Sequence, residues 1–543
     1  MDHQTALRRL RSREILSAAF DYAIFDRQNG DHFFDPIEIE YSISNRESII
    51  AEIISELDNV EAYQPRTAFA YFPPKNHLCD RRMVYIPLKD LVVRYAITIL
   101  FSEEVEYEIL DECFANRRAT GDAQNIRFTE EFATGGWPRF CEWQQEKCDE
   151  HNVLVKADIS AFYDSVSHEY LVDAIERHLS IPRDTEIIRL FMRLLKTRVI
   201  YYSQATGQIA QPSQLHQGLP IGDGVEGYLA NIYLKDVDDA MTSLGATYGR
   251  YVDDIRIFGS SRVEVLGHLR SLQECLLNLG LNLNSSKTTI AENEAEMDDL
   301  RSSNYLVDAS IEIEVENAGL QILDQEIDAP FEEFDRVFNE GDDIDRKKDG
   351  KDFCKYMSSH TADGHPVLSL EDRAIWHVNM LADFVEIGRG ASKHATWLLV
   401  QTALYRGVSP DTQEHCRSKI LELLSSESVC DYAKYRCLHH LLKKRGQRQF
   451  RFFDQLEDEE RQSILYLLPA FLSARAFELN LIGIYMASVS DMEIQEIRRR
   501  AHEHSARSCE PVRSALSRLN DQTLATHPVT TVVAEPDERP DPY

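Results

Sequence analysis

The chain has 543 residues, 43 % hydrophobic and 28 % charged, a composition that fits an ordinary globular protein large enough for several domains. Its 59 Lys and Arg stand against 91 Asp and Glu, a net charge of −32. That balance excludes a nonspecific nucleic-acid coat, because affinity for the phosphate backbone comes mostly from Lys and Arg, and any nucleic acid should be held locally.

No apolar run is long enough to span a bilayer, so no membrane partner is expected. Ten scattered cysteines, none in a CxxC pair, point to reduced thiols and a cytoplasmic location, with neither disulfides nor a zinc site. The first twenty residues carry Arg8, Arg9, Arg11 and Arg13 without an apolar signal region and read as a basic helix, Thr5–Tyr22. Residues 1–68 form a helical lead whose amphipathic helix Arg46–Leu57 has Ser44 or Asn45 as cap. Ala68–Phe72 reads as a strand stopped by Pro73-Pro74, and Arg81–Pro87 as a second strand. Arg81 and Arg82 on that strand suit either a phosphate clamp or a solvated edge. An apolar helix, Leu88–Leu100, follows.

Val153–Asp158 is a buried-looking strand that ends in an acid, which is costly unless paired or metal-bound, so Asp158 is a candidate ligand. Asp164 reads as a turn or cap residue, and Ser167 as the cap of helix His168–Leu179. Gln217–Gly224 is a Gly/Pro loop without Walker-A spacing, leading into helix Val225–Leu244. Gly249–Phe258 reads as a hairpin with Asp253-Asp254 at its turn. Adjacent acids repel unless a cation sits by them, and oxygen ligands suit a divalent metal; taken alone, the pair reads more readily as a plain surface turn. Helix Val263–Leu279 comes next, then a turn and strand, Gly280–Thr288.

From about residue 328 the pattern is helix after helix. Candidates are Glu332–Phe338, Leu370–Ile387, Ala391–Tyr405, Ser409–Ser425, Cys430–Lys444, Asp458–Leu468, Ala474–Ser488 and Met492–His504. The spacing suggests stacked helical pairs, although no clean repeat period emerges. Residues 321–365 read as an acidic linker or insertion, 366–519 as an all-α domain and 520–543 as a disordered tail. His439-His440 point about 100° apart on a helix, make a poor chelate and read as structural. Lys443, Lys444, Arg445, Arg448, Phe450 and Arg451 form the densest positive run, suited to single-stranded nucleic acid or to a solvated loop.

The order of these motifs resembles reverse transcriptases, most of all the bacterial kind related to group II intron and retron enzymes. The resemblance rests on Asp158, Gln217-Gly218-Leu219-Pro220, Leu229-Ala230-Asn231-Ile232-Tyr233-Leu234, Arg250-Tyr251-Val252-Asp253-Asp254, Gly280-Leu281 and Lys287-Thr288, and covers Phe69–Ala291. It implies an α+β polymerase right hand, fingers and palm, over 69–320, followed by the all-α, repeat-like C-terminal domain. It also implies DNA synthesis from dNTPs, RNA-directed or template-independent, with two Mg²⁺ ions about 3.5–4 Å apart, Mn²⁺ being a substitute. Asp158, Asp253 and Asp254 match the metal carboxylates, with the Ile159 carbonyl assisting. Lys287 matches the proposed general acid, Arg82 (helped by Arg81) the triphosphate arginine, Tyr163 the aromatic that excludes a 2′-hydroxyl, and Gln217 and Gly218 the loop facing the nascent base pair.

Cys113–Arg118 resembles the family's Gly-Phe-Arg-Pro region without its Gly and Pro. No primer-grip hairpin follows Thr288; Glu292, Glu294, Glu296, Asp298 and Asp299 stand there instead. A polymerase core with a long helical half looks like the layout of defence-associated, abortive-infection reverse transcriptases. This layout leaves open an RNA template, a companion noncoding RNA, a protein-primed DNA product and a homo-oligomer. The alternatives are a housekeeping retroelement enzyme and a non-catalytic RNA-binding scaffold.

Overall fold

The computed structural model describes residues 3–29, 42–43, 45–71, 81–118, 136–200, 202–203, 208–209, 213–222, 224–293, 295–297, 300, 361–362, 365–366, 374–386, 392–404, 409–426, 428–429, 433–434 and 436–437. The single basic helix expected over Thr5–Tyr22 is two, α1 (His3–Leu10) and α2 (Arg13–Asn29). The break falls at Ser12, whose hydroxyl accepts the Ile15 N–H at 3.3 Å and starts the second helix afresh. In α3 (Arg46–Leu57) the stripe Ile49, Ile50, Ile53 and Leu57 is buried, and Asn45 stands at the N-cap without a capping bond from its side chain.

Strands β1 (Ala68–Tyr71) and β2 (Met83–Tyr85) precede α4 (Leu88–Val105), a mostly apolar helix buried on nearly every side, with Asp90 and Arg94 buried among its apolar residues. Then come α5 (Gly136–Glu150), β3 (Val153–Asp158), α6 (Phe162–Ser165), α7 (His168–Leu179) and α8 (Glu186–Leu195). The short strands β4 (Arg198–Ile200), β5 (Tyr202–Ser203), β6 (Gln208–Ile209) and β7 (Ser213–Gln214) lead to α9 (Val225–Ser243). The hairpin β8 (Thr247–Tyr251) and β9 (Asp254–Gly259), α10 (Arg262–Asn278) and β10 (Thr289–Ala291) complete this part of the chain.

One sheet runs β2-β1-β4-β7, with β1 antiparallel to β2 and parallel to β4. The other runs β10-β3-β9-β8 and is antiparallel throughout. Side chains alternate across a strand, so this second sheet has two faces. Val153, Val155 and Ala157 share one face with Ile255 and Ile257, inside a core that extends from Ala6 in α1 to Leu281. The helices of the N-terminal lead are therefore packed into the same core as the sheet. Leu154 and Phe258 lie on the opposite face, under Phe140 and Trp143 of α5.

Farther along, β11 (Thr361–Ala362) and β12 (His365–Pro366) form a small hairpin, and α11 (Ala374–Glu386), α12 (Ser392–Leu404) and α13 (Pro410–Ser425) pack on one another. The helices expected at Glu332–Phe338 and from Asp458 onward, and the expected tail, lie outside the described residues. Among the described residues no helix is long and apolar enough to cross a membrane.

Candidate active site

The β3–β9 register places Asp158 directly opposite Asp254. Tyr251 pairs with Asp254 across the β8–β9 hairpin, so its loop is Val252-Asp253 alone. The acids expected together at the turn are split: Asp253 lies in the loop, and Asp254 opens the strand. Val252 holds φ at 59°, a strained value for a β-branched residue. Ile159, expected to lend a carbonyl, donates its N–H to the Asp253 carbonyl at 3.3 Å and bridges to Leu283.

The face carrying these acids grades along the strands from apolar to charged. The Leu154–Phe258 pair comes first, then Lys156–Arg256, then Asp158–Asp254. Arg256, 1 % exposed, donates to both Asp254 oxygens at 2.6 and 3.2 Å. Gln144 fixes its Nε, and the Phe140 ring lies 5.3 Å from the guanidinium. Asp254 therefore already has its countercharge. Asp158 is bound by Lys287 Nζ at 2.8 Å and the Asn284 amide at 3.1 Å.

Asp253 has no such side-chain partner among the described residues, and its carboxyl is pushed up to about 6. Burial is the main cause, the charges of Asp158 and Asp254 add to it, and Lys287 works the other way. Burial and Arg256 together lower the Lys156 ammonium. The sequence reading missed Arg256, although a cation two residues after an acid on a strand must share its face. Asn284 gave no local signal.

The Gly/Pro loop closes on the turn after β3. Leu219 N–H donates to the Tyr163 carbonyl at 2.8 Å, and Gly218 N–H to the Val166 carbonyl at 2.7 Å. Gln217 Nε2 donates to the Asp164 carbonyl at 3.3 Å, and His168 Nε2 meets the Gly218 carbonyl at 2.8 Å. Gly218 sits at φ 86°, and a Cβ there would stand 3.1 Å from the carbonyls of Tyr163 and Asp164. No other residue fits that approach easily. Tyr163, Gln217 and Gly218 are thus brought together. Burial and the nearby Asp253 charge raise the Tyr163 hydroxyl, keeping it a neutral phenol.

Arg81 and Arg82 precede β2, whereas the sequence reading had them on the strand. The Val84 N–H donates to the Ile221 carbonyl at 2.7 Å, docking β2 on the loop and bringing the Arg82 guanidinium onto the Asp164 carboxylate. Asp164, expected as a turn or cap residue, is that arginine's partner. Arg81 is exposed. The run Lys443, Lys444, Arg445, Arg448, Phe450 and Arg451 lies outside the described residues, as do His439 and His440. A separate acid-rich group, His178, Asp236 and Asp239, is already bound internally: Asp236 by Arg177 and by His178 at 2.9 Å, Asp239 by Lys235 at 2.9 Å.

An antiparallel sheet with paired acids at one end and helices on its faces is an arrangement shared with the palm of right-hand polymerases. Residues 122–307 match the family model described as reverse transcriptase (RNA-dependent DNA polymerase). That segment includes Asp158, Tyr163, Asp253, Asp254 and Lys287 and is similar to a reverse transcriptase domain, a nucleotidyltransferase domain. Among solved structures, an apo telomerase from Candida tropicalis truncated from its C-terminal domain is similar at 14 % identity, with a TM-score of 0.24. The similarity covers 29 % of this chain and 34 % of that one, so the chain spans about a third of that structure's length. No curated protein matches the sequence.

Proposed function

We propose that the chain is an RNA-directed DNA polymerase whose centre is formed by Asp158, Asp253 and Asp254. The observation that carries this reading is the placement of three carboxylates together, Asp158 opposite Asp254 across β3 and β9 with Asp253 in the adjoining two-residue loop. Hard carboxylate oxygens at such a place fit Mg²⁺, or Mn²⁺ in its stead. Asp158 and Asp253 would hold it, while Asp254, tied to Arg256, steadies the hairpin and adds charge. When bound, divalent cations supply the charge that stabilises the attacking and leaving oxygens of an in-line phosphoryl transfer.

The chain's own groups do the rest. Arg82 exchanges Asp164 for the triphosphate, and Lys287, 58 % exposed, swings from Asp158 toward the departing pyrophosphate. The Tyr163 ring occupies the space of a ribose 2′-oxygen. Gln217 and Gly218 form the floor under the new base pair. Helices α11–α13, which follow this core in the chain, speak for a role in bacterial antiphage defence, with loss of protection in an Asp253→Asn strain as its check. The reading is tested by supplying RNA templates, dNTPs and Mg²⁺ to the purified protein. The product should be degraded by DNase and survive RNase and alkali. Protease treatment then reports whether a protein hydroxyl or a nucleic acid primed it. A product made equally from NTPs, or none with any template, contradicts the reading.

Three further results are expected. Tyr163→Val should raise ribonucleotide use relative to deoxynucleotide use by at least about tenfold, measured as a ratio of kcat/KM values. Arg82→Ala should raise the KM for dNTPs by at least about tenfold. Asp164→Asn should lower that KM by less than about fivefold, because a partly exposed ion pair is worth at most about 1 kcal/mol. A rise in KM with Asp164→Asn would mean that Asp164 aims Arg82 and does not compete for it.

A further inference from the structure

The φ of 59° at Val252 has to be imposed by its surroundings. Arg250, two residues earlier in β8, is 0 % exposed. Its Nε and Nη2 donate to the two oxygens of Asp238 at 2.9 and 2.8 Å, and its Nη1 donates to Asn231 Oδ1 at 2.9 Å. The same Nη1 lies 3.4 Å from the Val252 carbonyl. Both partners belong to α9 and are themselves fixed. The Tyr248 hydroxyl donates to Asp238 at 3.0 Å, and the Asn231 amide to the carbonyls of Ala115 and Asn116 at 2.8 and 3.2 Å. The Arg250 backbone is pinned as well, its N–H to the Glu112 carbonyl at 2.9 Å and its carbonyl to the Phe114 N–H at 3.1 Å. A buried arginine with a rigid fork and every arm occupied cannot follow a moving loop; it sets the position of the loop.

We propose that Arg250 is a positioning residue: anchored by Asp238 and Asn231, it holds the Val252 carbonyl and so places Asp253 beside Asp158 to receive a divalent cation. The proposal rests on the reading of Asp158 and Asp253 as cation ligands. A lysine at 250 keeps the charge beside Asp238 but cannot reach Asp238, Asn231 and the loop at once.

The test is Mn²⁺ binding to the full chain, read as free Mn²⁺ by electron paramagnetic resonance, with no nucleotide present. Arg250→Lys should bind Mn²⁺ at least about tenfold more weakly while its thermal transition stays cooperative. Tyr248→Phe removes a donor to Asp238 but touches no part of the loop, and should bind within about twofold of wild type. In a Val252→Asn background, where the left-handed conformation is easier, Arg250→Lys should weaken binding by less than about threefold. If Arg250→Lys does not fold, Asn231→Ala, which releases one arm of the fork, should show a smaller loss in the same direction.

Wild-type binding by Arg250→Lys overturns the proposal. So does an equal loss in Tyr248→Phe, or the same factor with Val and Asn at 252. A wild type whose Mn²⁺ binding is indifferent to Asp253→Asn overturns the ligand reading and this proposal together. Binding that needs Asp253 but ignores Arg250 removes only the role of Arg250.

Discussion

Asp253→Asn should reduce nucleotide incorporation by at least about a hundredfold and, without metal, make the protein more stable at pH 8. Both effects come from one carboxyl, pushed up to about 6 by burial and by the neighbouring charges of Asp158 and Asp254. A raised carboxyl favours the protonated form in the folded state. Its stabilising contribution is complete below the unfolded value near pH 4 and is lost as pH rises through about 6. Above pH 6 the folded protein carries a charge that its surroundings oppose. Asparagine is neutral at every pH and keeps the stability that aspartate loses. At about 1.4 kcal/mol per pKa unit the difference reaches up to about 3 kcal/mol. Thermal melts in chelator should show the variant above wild type at pH 8 and level with it near pH 4. Cation binding by the wild type should strengthen as pH rises through about 6, as the carboxylate forms. A variant less stable than wild type at pH 8 would show that burial and like-charge repulsion of the Asp253 carboxylate do not govern this turn.

The second large effect is on stability. Arg94 in α4 and Glu226 in the first turn of α9 form an ion pair with both side chains 2 % exposed. Arg94 also donates to the Leu194 carbonyl at 3.1 Å. The Gly224 N–H at the start of α9 donates to an Asp26 carboxylate oxygen at 2.6 Å, so two acids stand at the positive end of one helix. Glu226→Ala strands the guanidinium in the core and should cost about 3–5 kcal/mol in urea denaturation. Combining it with Arg94→Met should recover most of that loss, because a well-packed apolar pair is often no worse than a buried ionic one. A loss under about 1 kcal/mol in the single variant would mean that water reaches the pair. The helix start follows the Gln217-Gly218 loop, so the single variant should also blunt incorporation through that loop.

What could be read from the residues alone was whatever depends on short spacing. The apolar run Val153–Val155 ending at Asp158, the apolar flanks of Asp253-Asp254, and Ser167, whose hydroxyl accepts the Tyr170 N–H at 3.4 Å, each announce an element within a few positions. The period-2 rule needed one more step to reveal Arg256 as the partner of Asp254. Pairings made by the fold itself were not legible. Arg82 meets Asp164 across 82 residues, Asn284 meets Asp158 across 126, and nothing local at either end marks them. Arg250 appeared in the sequence only as part of a motif. Its hold on Asp238, Asn231 and Val252 needs α9 laid against β8 before it exists. The break at Ser12 was missed because the apolar spacing continues through it, while the serine's capping bond outweighs that continuity.

The most direct test of the central claim is transfer of labelled dNMP into acid-insoluble product, with wild type and Asp253→Asn compared at pH 8 in Mg²⁺ over a set of RNA templates. Wild type should incorporate dNMP, the variant at least about a hundredfold less, and wild type in chelator none. Equal incorporation by the two proteins, or incorporation that persists in chelator, would contradict it.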